Sequence, residues 1–121
     1  MPTVSIIIVN YNGRDFILDC LRSIEVQSFK NFEVIVVDNG SSDDSISRIQ
    51  EFTRRNNLRV NIKIIPLCHN LGFAGGCVVG LNYSKAEFVG LLNNDTEVDQ
   101  KWLEELIKAM KSDSNIGICA S

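Results

Sequence analysis

The sequence predicts an α/β domain with a mostly parallel sheet flanked by helices. Three observations carry this reading. Four apolar runs rich in β-branched residues recur along the chain, Thr3–Val9, Phe32–Val37, Val60–Pro66 and Phe88–Leu92. Segments with helical spacing separate them, so strand and helix alternate through short connections, the pattern of a parallel sheet covered by helices. Three of the runs end in polar loops, at Asn10, Asp38 and Asn93. Loops outside the carboxyl ends of parallel strands form one rim, where open α/β sheets bind ligands.

Composition bounds the rest. At 121 residues, the chain is expected to be one domain, residues 1–121. A hydrophobic content of 45% supplies a core, and a charged content of 22% excludes global disorder. The net charge of −3 argues against nucleic acid as a partner. No apolar run reaches membrane-spanning length, and Met1-Pro2-Thr3-Val4 lacks the basic leader of a signal peptide. Cys20, Cys68, Cys77 and Cys119 are widely spaced, with no C-x-x-C pair. They read as reduced thiols of a cytoplasmic protein, not as a zinc site or disulfide framework; membrane association of a full-length protein stays open.

Thr3–Val9 stops at Asn10-Tyr11-Asn12-Gly13, a polar break with turn residues. Tyr11 there is either a stacking platform for a base or an ordinary half-buried loop tyrosine. Asp15–Gln27 reads as a helix on Ile17, Leu18, Leu21 and Ile24. The second strand, Phe32–Val37, runs into Asp38-Asn39-Gly40-Ser41-Ser42-Asp43-Asp44. Ser42 or Asp43 is placed to cap a helix from about Asp44 to Arg55, periodic in Ile46, Ile49 and Phe52. Asp38 has no helix of its own to cap. It either accepts a hydrogen bond from a nucleoside or braces its own loop.

Asn56-Asn57 breaks that helix. Val60–Pro66 alternates and ends in proline, which suits an edge strand. The sole histidine, His69, follows in a loop and reads as solvated. Asn70-Leu71-Gly72-Phe73-Ala74-Gly75-Gly76 opens a helix running to about Ser84. Its glycines allow either close approach to a ligand or close packing of helix on sheet. Phe88–Leu92 is the fourth strand, and it runs into Asn93-Asn94-Asp95-Thr96-Glu97. Asp95 is either a hard oxygen ligand for a divalent cation or a cap for the following turn. Asp99 is placed to cap a helix over Gln100–Lys111, and Ile116–Ala120 reads as the start of a fifth strand. Val4–Val9 and Phe88–Leu92 are both expected inside the sheet, because both are too apolar for an edge.

Asn10-Tyr11-Asn12-Gly13, Leu21-Arg22-Ser23-Ile24 with Gln27, and Glu33 through Asp43 resemble the opening of family-2 glycosyltransferases of the GT-A, Rossmann-like fold. Asn70–Gly76 and Leu91–Val98 continue the resemblance in order, the latter similar to the metal motif of rhamnosyltransferase-like members. It covers nearly the whole chain.

The resemblance implies an inverting transfer of a sugar from a nucleotide-diphosphate donor, a UDP- or dTDP-sugar, to a hydroxyl of a glycan or lipid-linked acceptor. Tyr11 and Asp38 would hold base and ribose, with Val9, Asn39, Gly72 and Asn94 in the same binding set. Asn93 stands where relatives carry the first carboxylate of an Asp-x-Asp, and would contact ribose or a metal-bound water. Asp95 matches the second carboxylate and would ligate Mn²⁺ or Mg²⁺. Cys77 and Val78 depart from the Asn-Asn or Arg-Asn common at their positions.

The family's catalytic base comes from a later segment, so the chain is expected to be the donor-binding part, truncated after the fifth strand, without a catalytic residue of its own. The sheet flank exposed by such truncation would pair with a second copy, giving a homodimer. A non-catalytic nucleotide-binding or assembly module is the alternative. A nucleotidyltransferase fits less well, because Asn10-Tyr11-Asn12-Gly13-Arg14 is a poor match to the glycine-rich loop it requires.

Overall fold

The computed structural model describes residues 1–55 and 60–121. The elements alternate as expected: β1 Val4–Asn10, α1 Ile17–Glu25, β2 Phe32–Asp38, α2 Ser45–Arg55, β3 Asn61–Pro66, α3 Gly72–Tyr83, β4 Phe88–Asn93 and α4 Trp102–Ser112. The expected helix break at Asn56-Asn57 lies outside the described residues. All strand pairs are parallel, in the order β3-β2-β1-β4. The register sets Asn10 level with Asp38, Asp38 level with Pro66 and Val9 level with Asn93. The polar loops after β1, β2 and β4 therefore share one rim.

Strand alternation splits the core into two layers. Ile6, Ile8, Val34 and Val36 face α1, α2 and α4, meeting Leu21, Ile49 and Leu103. Ile7, Ile35 and Val37 face the other way, toward Val79 of α3. On that side the helix lies close to β1. A Cβ on Gly76 would stand 2.8 Å from Val9 Cγ1, and one on Gly80 would stand 2.6 Å from Ile7 Cγ2. Close helix–sheet packing is thus what these helix glycines supply.

Two expectations about the sheet fail. Among the described residues Phe88–Asn93 is an edge strand, paired with β1 alone. Its apolar run encodes cover on both faces, but among the described residues only one face receives it. Phe88 and Leu92 pack into the larger layer, while Val89 and Leu91 are 39% and 51% exposed. Residues 116–120 do not form a fifth strand. A strand needs a neighbour to satisfy its ladder; here the segment turns back, Trp102 Nε1 donates to Ser121 Oγ at 3.1 Å, and Ile118 stays exposed. The sheet therefore has four strands among the described residues, not five.

Helix α1 starts at Ile17 and not Asp15, because the N–H groups of Phe16 and Ile17 both donate to the Gly13 carbonyl and close a tight turn first. The chain leaves the helix before Gln27, whose side chain serves elsewhere. Asp43 accepts from the Ser45 N–H at 3.0 Å at the start of α2. Burial pushes the Asp43 carboxyl up, but hydrogen bonds from Ser45 and the Arg14 N–H outweigh it and hold the group below the usual carboxylate range. Asp99 accepts from the Lys101 N–H at 2.9 Å, holding the turn that leads into α4. No helix among the described residues is long and apolar enough to cross a membrane.

Candidate functional site

The rim is laced by short polar side chains. Asn12 has φ 49°, a left-handed conformation that asparagine tolerates. That turn lets its Oδ1 accept from the Ser42 N–H at 2.8 Å while its own N–H donates to Ser41 Oγ at 2.9 Å. Gly40, at φ 78°, sits against the backbone of Cys68 and His69, which ties the loop after β2 to the loop after β3.

Asp38 is only 1% exposed, and its carboxylate is committed. It accepts from Asn10 Nδ2 at 2.9 Å, the Ser41 N–H at 2.9 Å and Ser41 Oγ at 2.7 Å. Loop bracing is therefore a role Asp38 plays in this structure. Asn39 is equally buried. Its Nδ2 donates to the Gly72 carbonyl at 3.0 Å and its Oδ1 accepts from the Leu71 N–H at 3.2 Å, pinning the entry of α3 to the end of β2. Gly72 takes φ 78°, and a Cβ there would meet nothing within 4 Å, so conformation rather than crowding calls for glycine.

The loop after β4 is gripped along its length by one face of α1 and by Gln27 just beyond its end. Cys20 Sγ donates to the Asn93 carbonyl at 3.6 Å, and Ser23 Oγ accepts from the Val98 N–H at 3.1 Å. Gln27 Nε2 donates to the Asp99 carbonyl at 2.7 Å, and Gln27 Oε1 accepts from the Leu103 N–H at 3.0 Å. Burial, with the charges of Asp95 and Glu97 adding to it, pushes the Cys20 thiol up to about 12, past the opposing backbone hydrogen bond from Thr96. A thiol so protonated serves as a donor under the loop and not as a nucleophile. All four cysteines are free thiols.

Against this fixed backbone, several rim side chains stay open, Glu97 among them. Tyr11 is 50% exposed, and Asn93 and Asp95 are exposed as well. Among the described residues the Asp95 carboxylate accepts no hydrogen bond, so it caps nothing there. No three His, Cys, Asp or Glu side chains gather to hold an ion among the described residues. In the loops 11–16, 39–44 and 94–99, Arg14 is the only cation. It lies 3.8 Å from both Asp15 and Asp44.

The structure thus brings Asp38, Asn39, Gly72 and Asn94 into one connected rim through Asn10, while Val9 serves as the wall beneath Gly76. Asn10, Gly13, Cys20 and Ser23 on α1, and Gln27 just beyond it were not legible as site residues. Asn10, Gly13, Ser23 and Gln27 stood in the sequence only as parts of the motifs that carry the family resemblance, with no role of their own.

The sequence pattern of Glycosyl transferase family 2 matches residues 5–121. The chain belongs to that family, and its sheet and helices are those of the GT-A, Rossmann-like fold. It is 30% identical over 115 residues to an uncharacterized glycosyltransferase of Haemophilus influenzae, covering 95% of this chain and 35% of that protein. It is 26% identical over 118 residues to the putative glycosyltransferase EpsH of Bacillus subtilis, covering 98% and 33%. The crystal structure of S. aureus TarS 1-349 in complex with UDP-GlcNAc superposes with a TM-score of 0.80 at 26% identity, covering all of this chain and 38% of that one. The chain spans about a third of the length of the curated relatives it matches.

Proposed function

We propose that this domain is the donor-binding part of an inverting, metal-dependent glycosyltransferase and holds the nucleoside diphosphate of a nucleotide sugar on its rim. The observation that carries the reading is Asp95, exposed, free of hydrogen bonds among the described residues, and held on a backbone that α1 fixes. The charge pattern supports it. A diphosphate on a rim with one cation, already engaged by two carboxylates, needs a compensating positive charge. A divalent ion held by a single protein carboxylate, with phosphate oxygens completing its shell, suits this donor set. When bound, Mn²⁺ or Mg²⁺ would offset the charge that develops on the leaving diphosphate.

The chain's own residues divide the remaining work. Tyr11 offers its ring to the base. Asn39 and Asp38 shape the nucleoside loop from beneath, and Gly72 opens the helix beside it. Asn93 and Asn94 flank the ribose or a metal-bound water. TarS, solved with UDP-GlcNAc, supports a nucleotide-sugar donor, and a UDP- or dTDP-sugar is the donor class proposed. The acceptor hydroxyl belongs to a glycan or lipid-linked sugar. Inverting displacement needs a base within hydrogen-bond reach of that hydroxyl. Asp99 holds the turn into α4 and Glu97 is solvent-exposed, so neither is proposed as that base.

Calorimetric titration with UDP, dTDP and GDP, each with and without Mn²⁺, tests the reading. One of the three is expected to bind at least tenfold more tightly with the ion present. Equal affinity with and without Mn²⁺ for every nucleotide would refute metal dependence, and no binding at all would favour an assembly module. The bare flank beyond β4, where Val89 and Leu91 are exposed on an unpaired edge, is expected to associate with a second copy. Light scattering that returns a monomer mass at high concentration would remove the homodimer.

A further inference from the structure

We propose that Asn10 is a positioning residue for the loop that carries Asp95, acting as a hydrogen-bond relay from Asp38 to Asn94. The functional half of this inference rests on the metal reading of Asp95 given above. The Asn10 side chain is fully buried between Asp38 at the end of β2 and Asn94 in the loop after β4, with Ser41 Oγ a longer contact at 3.5 Å. Its Nδ2 donates to Asp38 Oδ1 at 2.9 Å, and its Oδ1 accepts from Asn94 Nδ2 at 2.9 Å.

A side-chain amide can sit in either of two orientations, and its partners choose between them. Here Asp38 makes the choice. A carboxylate accepts and does not donate, so Asn10 must turn its NH₂ toward it. The Asn10 carbonyl then faces the other way and can only accept, so Asn94 must present its own NH₂. That leaves Asn94 Oδ1, which has no hydrogen-bond partner among the described residues, as the free atom one residue before Asp95. The relay thus presents a neutral oxygen, suited to a ribose hydroxyl or a hard cation, where an unrelayed amide could equally present an NH₂ that repels the cation.

A second, independent feature guards the same contact. A Cβ on Gly13 would stand 2.3 Å from both Asn10 Oδ1 and Asn94 Nδ2. Gly13 is buried over the hydrogen bond itself, and no larger residue fits while the bond is closed. The turn glycine of the loop after β1 therefore serves the loop after β4.

The polarity of the relay can be reversed by substitution. Asn94→Asp sets a carboxylate against the Asn10 carbonyl, acceptor to acceptor. Asp38→Asn leaves one acceptor oxygen, for which Asn10 Nδ2 and the Ser41 N–H then compete. Each is expected to lower the thermal midpoint, measured without metal or nucleotide, by roughly 4 °C or more. In the double variant the amide at position 38 donates to Asn10 Oδ1, Asn10 Nδ2 donates to the carboxylate at position 94, and most of the loss is recovered. A double variant as unstable as the sum of the two singles overturns the relay.

The positioning role is read from the metal-supported part of binding, using whichever of UDP, dTDP and GDP the unmodified chain binds. Asn10→Ala is expected to lower the Mn²⁺-supported affinity about 10- to 100-fold, the range for residues that orient a metal ligand. The affinity measured without the ion should change far less. Gly13→Ala keeps all three polar side chains but wedges a methyl group between them, and should reproduce the split. Equal losses with and without Mn²⁺, or no loss in either variant, overturn the positioning role alone. An unmodified chain that shows no Mn²⁺ dependence overturns it together with the metal reading, whatever the unfolding experiment shows.

Discussion

Asp95→Ala is expected to abolish the Mn²⁺-dependent component of nucleotide binding while leaving the fold intact. The carboxylate makes no hydrogen bond among the described residues, so its removal orphans no partner, and stability should move by no more than about 0.5 kcal/mol. The binding loss should be at least about tenfold, or ~1.4 kcal/mol. Asp95→Asn should do nearly as much harm, because an amide oxygen is neutral and a poorer ligand for a hard cation. A capping role predicts a different pattern, a stability loss of about 0.5–2 kcal/mol on Asp95→Ala that Asn restores. Normal Mn²⁺-dependent affinity in Asp95→Asn would rule out the metal-ligand assignment.

Gly80→Val is expected to give a large loss of stability. The Cβ of the new side chain would stand 2.6 Å from Ile7 Cγ2 and 3.1 Å from Ile7 Cδ1. Ile7 lies in β1, between β2 and β4, and is 1% exposed, and its most crowded atom is the branch carbon Cγ2 and not the tip of a flexible side chain. Overpacking of this kind costs about 1–3 kcal/mol. Because α3 lies on its side of the sheet through Gly76 and Gly80, the cost falls on the docking of the whole helix. Gly90→Ala is the control. Its Cβ would meet only Ile6 Cγ1 and Trp102 Cη2, both at 4.0 Å, and the change should be near neutral. Chemical denaturation of both variants decides the matter: a Gly80→Val midpoint no lower than that of Gly90→Ala would show that α3 is not held by this close approach.

The same glycines show where sequence reading stops. Gly72, Gly75, Gly76 and Gly80 look alike in the chain, and a glycine-rich helix start invites a phosphate. Only the packed structure separates them, with Gly76 and Gly80 against the side chains of β1 and Gly72 open to solvent in a left-handed turn. The edge position of β4 was likewise illegible. Hydrophobicity records how much of a strand is meant to be covered, but not which covering element the described chain supplies.

What the sequence determined by itself was periodicity and local chemistry. Strand β1, the α1 stripe of Ile17, Leu21 and Ile24, the order of elements and the exposed carboxylate at Asp95 all follow from the spacing of apolar residues and from where each run stops. These are short-range properties, set within one turn or one strand. What only the tertiary structure decided was how residues far apart in sequence share their polar atoms. Asp38 reads alone as either a nucleoside contact or a brace of its own loop; parallel register sets it level with Asn10, 28 residues away, and supplies a bracing partner that no local pattern names. Asn10 reads as the end of a strand, and becomes the hinge of three loops because β1 lies between β2 and β4. A buried polar atom must find its partner wherever the sheet order brings one, and sheet order is fixed by the packing of the whole domain, not by any segment of it.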